Sequence, residues 1–192
     1  MRLPGKLVLV VGPSGAGKDS LLRRAAQELT TERHIIFPRR VITRASDDAT
    51  EAHDTLTVDE FLAAKEAGRF ALCWQAHGLH YGIPASLRDD LKAGRTAAVN
   101  VSRAIIAEAA EGFPNMAVLH VTAPVSVIAQ RLAQRGRETE ADIASRIARE
   151  PPHFEDHVET ITIVNDTTLE AATRAFTTAL LNFAKEPYAA AF

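Results

Sequence analysis

Leu7-Val8-Leu9-Val10-Val11-Gly12-Pro13-Ser14-Gly15-Ala16-Gly17-Lys18-Asp19-Ser20 is the stretch on which the fold turns. Its first five residues form an unbroken aliphatic run rich in valine, the pattern of a strand buried on both faces. Gly12 to Gly17 make a glycine-rich turn. From Lys18 onward, Leu21, Leu22, Ala25, Ala26 and Leu29 recur at helical spacing. A strand that turns through Gly-x4-Gly-Lys into a helix is the setting of a phosphate-binding loop. Gly12 and Gly17 permit a turn tight enough for successive N–H groups to point inward, and the helix N-terminus adds the positive end of its dipole. Lys18 brings a point charge to the β- and γ-phosphates. The expected nucleotide cradle is therefore Gly12, Pro13, Ser14, Gly15, Ala16, Gly17, Lys18, Asp19 and Ser20.

One position departs from that motif. It asks for Ser or Thr after the lysine, to ligate Mg²⁺. This chain has Asp19, followed by Ser20. A carboxylate is also a hard oxygen ligand. Mg²⁺ is thus expected on Asp19, directly or through water, or on Ser20.

Outward from the loop, strands and helices alternate. Ile35–Phe37, Ala97–Val101, Met116–Val121 and Ile161–Val164 read as further buried strands. Helices are predicted over Ser102–Glu111, Val125–Gln134, Glu140–Glu150 and Thr168–Ala184. Such alternation gives an α/β fold, a five-stranded mainly parallel sheet flanked by helices. The stretch 39–54 is polar and irregular. Thr57 and Glu60 have capping-box spacing for a helix ending at Gly68, Phe70–Ala76 and Leu79–Ile83 read as strands paired across Gly78, and Ser86–Ala93 reads as a short helix. The expected division is a core of 1–43, 92–134 and 150–192, a small mixed insertion of 44–91 and a lid of 135–149.

Composition bounds the function. The chain has 192 residues, 46% hydrophobic and 24% charged, enough for one domain with a sizeable core. A net charge of −2 gives no general attraction to nucleic acid or anionic lipid. Cys73 is the only cysteine, which excludes an internal disulfide framework and a cysteine-rich zinc site. Leu7–Val11 is far too short to span a bilayer. Small-molecule substrates, a cytoplasmic location and a monomer or homodimer are expected. His153 and His157 stand four apart but lack the His-Glu-x-x-His pattern, so a solvated turn is expected there.

The cations are unusual in kind, with 17 arginines against five lysines. Arginine's planar fork suits phosphate and carboxylate. Arg131, Arg135, Arg137, Arg146 and Arg149 crowd one stretch, and Arg39, Arg40 and Arg44 another. Beside a phosphate loop, the first group suits an arginine lid for phosphoryl transfer, and the second suits an anionic acceptor.

These motifs together resemble the guanylate kinase family of P-loop kinases over most of the chain. The resemblance is carried by the loop, by Ile42-Thr43-Arg44, by Phe70 with His77-Gly78-Leu79-His80-Tyr81-Gly82-Ile83-Pro84, by Arg131-Leu132 with Arg135-Gly136 and Arg146, and by Val164-Asn165-Asp166. It implies a P-loop kinase fold with ATP as co-substrate. It implies that Arg44 and Tyr81 bind the acceptor phosphate, that Lys18, Arg135 and Arg146 serve the transferring phosphoryl group, and that Asn165 lies near the adenine. The family reads guanine with carboxylates. Where it has them, this chain carries Trp74-Gln75 and Asn100-Val101-Ser102, and Arg40 replaces a serine. Guanine's donors would be left unpaired, a large penalty in a closed site. The pattern, with Asp after the loop lysine, is similar to the branch that phosphorylates ribose 1,5-bisphosphate to 5-phosphoribosyl 1-diphosphate. Arg40, Arg44, Tyr81 and Asn100 are then the expected acceptor-binding residues. The alternatives are a guanylate or other nucleoside monophosphate kinase, and an inactive kinase-like module that binds proteins; the intact loop argues against the last.

Overall fold

The structure is a computed structural model and describes residues 4–44, 53–135 and 158–185. Strand β1 (Leu7–Val11) is at its centre, with all five residues wholly buried. It pairs in parallel with β7 (Thr96–Asn100) on one side and β8 (Met116–Thr122) on the other. Strand β2 (Ile35–Ile36) extends the sheet beyond β7, and β9 (Glu159–Val164) beyond β8. The order is β2-β7-β1-β8-β9, and every adjacent pair is parallel.

The two-residue period of a strand sends alternate side chains to opposite layers. Val8 and Val10 pack with Leu21 and Ala25 of α1 (Lys18–Glu28) and with Phe176, Leu180 and Phe183 of α6 (Leu169–Lys185). Leu7, Leu9 and Val11 face the other way, toward Leu87 and Leu91 of α3 (Leu87–Lys92) and Ile106 and Ala109 of α4 (Ile106–Gly112). A smaller cluster joins Ala123 to Ile128 and Leu132 of α5 (Val125–Arg135).

A second sheet, β4-β3-β6-β5, stands beside the first. It is built from β3 (Arg40–Ile42), β4 (His53–Thr55), β5 (Phe70–Ala76) and β6 (Leu79–Pro84). Strands β5 and β6 form a hairpin in which both turn residues, His77 (φ 52°) and Gly78 (φ 74°), are left-handed, as the twist of a two-residue loop demands. Helix α2 (Val58–Glu66) starts with the predicted reciprocal cap. The Thr57 side chain accepts from the Glu60 N–H, and the Glu60 carboxylate accepts from the Thr57 N–H. Its buried Phe61 stacks on Phe70 at 4.6 Å. Leu72 and Ile83 join this lobe to the core beneath the central sheet.

Two local expectations differ from the structure. The stretch taken as irregular contains β3 and β4, each three residues long and too short to show alternation. Their order comes from pairing, since Val41 and Ile42 are buried against Gly82 and Tyr81 of β6. The predicted helix Ser102–Glu111 begins instead with a 3-10 turn, Arg103–Ile105, because the Ser102 hydroxyl accepts from the Ala104 N–H and tightens the first turn. The predicted helix 140–150, most of the lid and the His153/His157 pair lie outside the described residues.

Phe176 is wholly buried between α6 and the sheet. Phe176→Ala is expected to lower unfolding free energy by about 3–5 kcal/mol, read from urea denaturation.

Candidate active site

The loop between β1 and α1 is pinned from three sides. Gly12 (φ 144°) lies so close to the carbonyl of Val121 that a side chain there would collide with β8 backbone. Gly15 (φ 84°) rests on Leu132 and Ile128, which a Cβ would meet at 3.1 and 3.3 Å. Gly17 (φ 94°) is the residue from which α1 starts. A Cβ on Gly17 would strike the side-chain amide of Asn165. Asn165 follows β9, where its N–H donates to Thr122 O at 2.7 Å. Its Nδ2 donates to Ala16 O at 2.8 Å, in a side chain left 3% exposed. The structure thus places Asn165 as a buried strut under the loop.

Lys18 curls over the loop it follows. Its ammonium donates to the carbonyls of Gly12 at 2.8 Å and Pro13 at 3.0 Å. Arg131, on α5, comes within 4.0 Å of where a Gly17 Cβ would be, and its Nη1 is buried without a hydrogen-bond partner among the described residues. Such a group is held where an anion at the loop would satisfy it. The sequence had grouped Arg131 with the lid; its register on α5, one turn before Arg135, brings it to the loop.

Two of the expected acceptor residues, Arg40 and Asn100, meet the loop at Asp19. The Asp19 carboxylate accepts from Arg40 Nη2 at 3.4 Å and from the side-chain amide of Asn100. Arg40 Nη1 donates to the backbone carbonyl of Asn100 at 3.1 Å. Arg40 lies over the Tyr81 ring at 6.0 Å, and Tyr81 stacks on Trp74 at 5.2 Å with planes 7° apart. Burial pushes the Arg40 guanidinium down from its ordinary value, and the charge of Asp19 opposes the shift. An arginine starts so high that it stays charged at neutral pH. Thr43 and His80 exchange two bonds, N–H to carbonyl at 3.1 Å and N–H to hydroxyl at 2.9 Å, which holds the end of β3 against β6. Arg40 thus links the Tyr81 ring to the loop, and the charge of Arg44 also acts on its guanidinium. Arg135 ends α5. Arg146 lies outside the described residues.

Sequence reading missed His120. It is the one polar residue of Met116–Val121, a strand otherwise aliphatic, and that break in the pattern was the available signal. The imidazole is half-buried. Burial pushes its pKa down, and the charges of Lys18 and Arg103 push it further in the same direction.

Magnesium fits this donor set in a limited way. Asp19 keeps 47% of its side chain exposed and lies at the loop with the Ser20 hydroxyl next to it in sequence. Among the described residues no group of three or more His, Cys, Asp or Glu could cage a metal ion. A cation held by one carboxylate and the phosphates of a nucleotide needs no such cage.

No family model matches the chain. Curated relatives do. The ribose 1,5-bisphosphate phosphokinase PhnN of Acidiphilium cryptum is 52% identical over 92% of this chain and 93% of its own length. The protein of that name from Brucella abortus is 42% identical over 90% of each. The chain belongs to the ribose 1,5-bisphosphate phosphokinase family. Membership makes it a phosphotransferase. It is also 45% identical to the bifunctional ribose 1,5-bisphosphokinase-thymidine phosphorylase of Azorhizobium caulinodans, over 92% of this chain but only 26% of that protein. The guanylate kinase of Anaplasma phagocytophilum superimposes with a TM-score of 0.69 over 96% of this chain and 89% of its own, at 18% identity. That likeness is one of fold, and it agrees with the α/β architecture and parallel five-stranded sheet described above. No described helix is long and apolar enough to cross a membrane.

Two outcomes follow for this family member. Asn165→Ala removes the buried donor to Ala16 O, so stability is expected to fall by about 1–3 kcal/mol in urea denaturation, with weaker ATP binding by calorimetric titration. His120 binds its proton less readily folded than unfolded. The stability its neutral form contributes is complete above the ordinary imidazole pKa of about 6.5 and is lost as pH falls below it. His120→Gln is expected to flatten the fall in melting temperature between about pH 7 and 5.

Proposed function

We propose that this chain transfers the γ-phosphoryl group of MgATP to the 1-phosphate of ribose 1,5-bisphosphate, giving 5-phospho-α-D-ribose 1-diphosphate and ADP. An oxygen of the 1-phosphate attacks the γ-phosphorus in line as the bond to the β–γ bridging oxygen breaks. The nucleophile is already ionised at neutral pH, so no general base is required. The enzyme's task is to hold two polyanions in contact, and positioning of that kind can supply up to roughly 7–11 kcal/mol.

The observation that carries this reading is the largely buried Arg40, tied at once to Asp19 of the nucleotide loop and to Asn100. In this reading that fixed cation stands where the acceptor meets the donor. The wall beside it is aromatic and cationic, Trp74 on Tyr81 under Arg40, and Asn100 uses its amide on Asp19. Guanine would need carboxylate acceptors on such a wall. In this reading Gly12–Ser20 cradle the ATP phosphates, and Lys18 leaves the loop carbonyls for the β- and γ-phosphates. Arg40, Arg44 and Tyr81 take the acceptor. Arg135 and Arg146, on a lid of 135–149, close over the transferring group. Mg²⁺ is held through Asp19 or Ser20, and when bound it screens the charge of the phosphates. The enzyme works in the cytoplasm, on small molecules, as a monomer or homodimer.

ADP release tests the proposal, with ribose 1,5-bisphosphate and GMP as parallel acceptors. Turnover is expected on the sugar bisphosphate and not on GMP, and Lys18→Ala is expected to reduce it by at least about 100-fold. Turnover on GMP alone overturns the reading.

A further inference from the structure

At the C-terminal edge of the central sheet, side chains divide by strand parity. Val10 and Asn100 are register partners on the face of α1, where Asn100 meets Asp19. On β8 the parity is reversed, with Ala117, Leu119 and Val121 packing on the α1 and α6 side and Val118 on the opposite side. His120, two residues from Val118 and level with Val11, belongs to that opposite face. The cover there at the same edge is the 3-10 turn Arg103–Ile105, whose Ile105 shares the core cluster of Val118, Leu72 and Ile83. The turn is fixed by the Ile105 N–H on Ser102 O at 3.2 Å and the Ala104 N–H on the Ser102 hydroxyl at 3.3 Å. Arg103 is exposed on it. Arg40 reaches the loop through Asp19, Arg131 lies beside Gly17, and Arg103 stands on the turn that follows β7 on the face of His120. The charges of Lys18 and Arg103 both reach the imidazole of His120.

We infer that Arg103 is a phosphate-binding residue of the transfer site, holding the reacting phosphate of the acceptor across the loop from Arg40, with His120 as a spacer between it and Lys18. This rests on the phosphotransfer reading above and adds to it. An acceptor with two phosphates needs two anion sites; Arg40 stands at one, and Lys18 and Arg131 at the loop are taken by the phosphates of the donor. The attacking phosphate is a dianion that must approach the γ-phosphoryl group, so a cation on each side offsets their repulsion where it is greatest. A neutral imidazole between Lys18 and Arg103 separates two cations without adding a third. Arg103 neither gives nor takes a proton in the step.

The test compares wild type, Arg103→Gln and Arg103→Lys on ATP and ribose 1,5-bisphosphate, followed by formation of 5-phosphoribosyl 1-diphosphate, with ribose 1-phosphate as a competing ligand that carries the reacting phosphate and ribose 5-phosphate as one that lacks it. Thermal melts check that the variants fold. Arg103→Gln is expected to lower kcat about 100-fold and to weaken inhibition by ribose 1-phosphate about tenfold. Inhibition by ribose 5-phosphate and the KM for ATP should stay unchanged, and Arg103→Lys should recover part of the loss. An unchanged kcat, or equal weakening by both monophosphates, overturns the inference. Wild type inactive on the sugar bisphosphate but active on GMP sinks the functional reading instead. Arg103→Gln is then measured on GMP, where a fall in kcat keeps the phosphate contact and no fall removes it.

Discussion

Asp19 is the joint of the molecule. Its carboxylate is the first acidic group of α1 and accepts from Arg40 of the small sheet and from Asn100 at the end of β7. Three parts of the chain meet in that one group: the loop between β1 and α1, the central sheet and the small second sheet. An acidic side chain in the first turn of a helix is also favoured by the helix dipole. The usual hydroxyl at this position could accept from Arg40 too, but it could not neutralise a guanidinium that is largely buried.

Burial of Arg40 has a consequence for the acceptor in the proposed reaction. A charge taken out of water must be offset by a partner, and Asp19 with the Asn100 carbonyl provides that offset before any substrate arrives. The guanidinium is thereby oriented in advance, and the stack of Tyr81 on Trp74 fixes its other side. Lysine would serve poorly here, because an ammonium has no plane to lie on a ring and no fork to engage a carboxylate and a carbonyl together. The bias of 17 arginines over five lysines thus has a structural reading at this site.

Much of the fold was legible because its signals are local. The aliphatic runs of β1, β7 and β8, the glycines of the loop and the Thr57/Glu60 box each act within a few residues, and each appears in the structure where the sequence put it. Strands β3 and β4 were not legible, since three residues carry no period; β3 takes its order from β6, about 40 residues away, and β4 takes its order from β3. The same holds for the site. Gly12, Gly17 and Lys18 could be read from spacing. The contact between Asp19 and Asn100 spans 81 positions, and that between Asn165 and Ala16 spans 149, so neither leaves a mark on its neighbours in sequence.

Asn165 clarifies what such distant contacts do. The loop's backbone must present its N–H groups to an anion, which leaves its carbonyls pointing elsewhere and in need of donors. Asn165 answers Ala16 and Lys18 answers Gly12 and Pro13. The two donors differ in mobility. Asn165 is tied by its own backbone to β8 and is nearly inaccessible to water, which restrains it. Lys18 has a flexible four-carbon stem and a charge that phosphate attracts more strongly than a neutral carbonyl does. The loop therefore keeps its shape on one fixed bond while its lysine is free to exchange partners, which lets a rigid cradle and a mobile charge coexist within three residues.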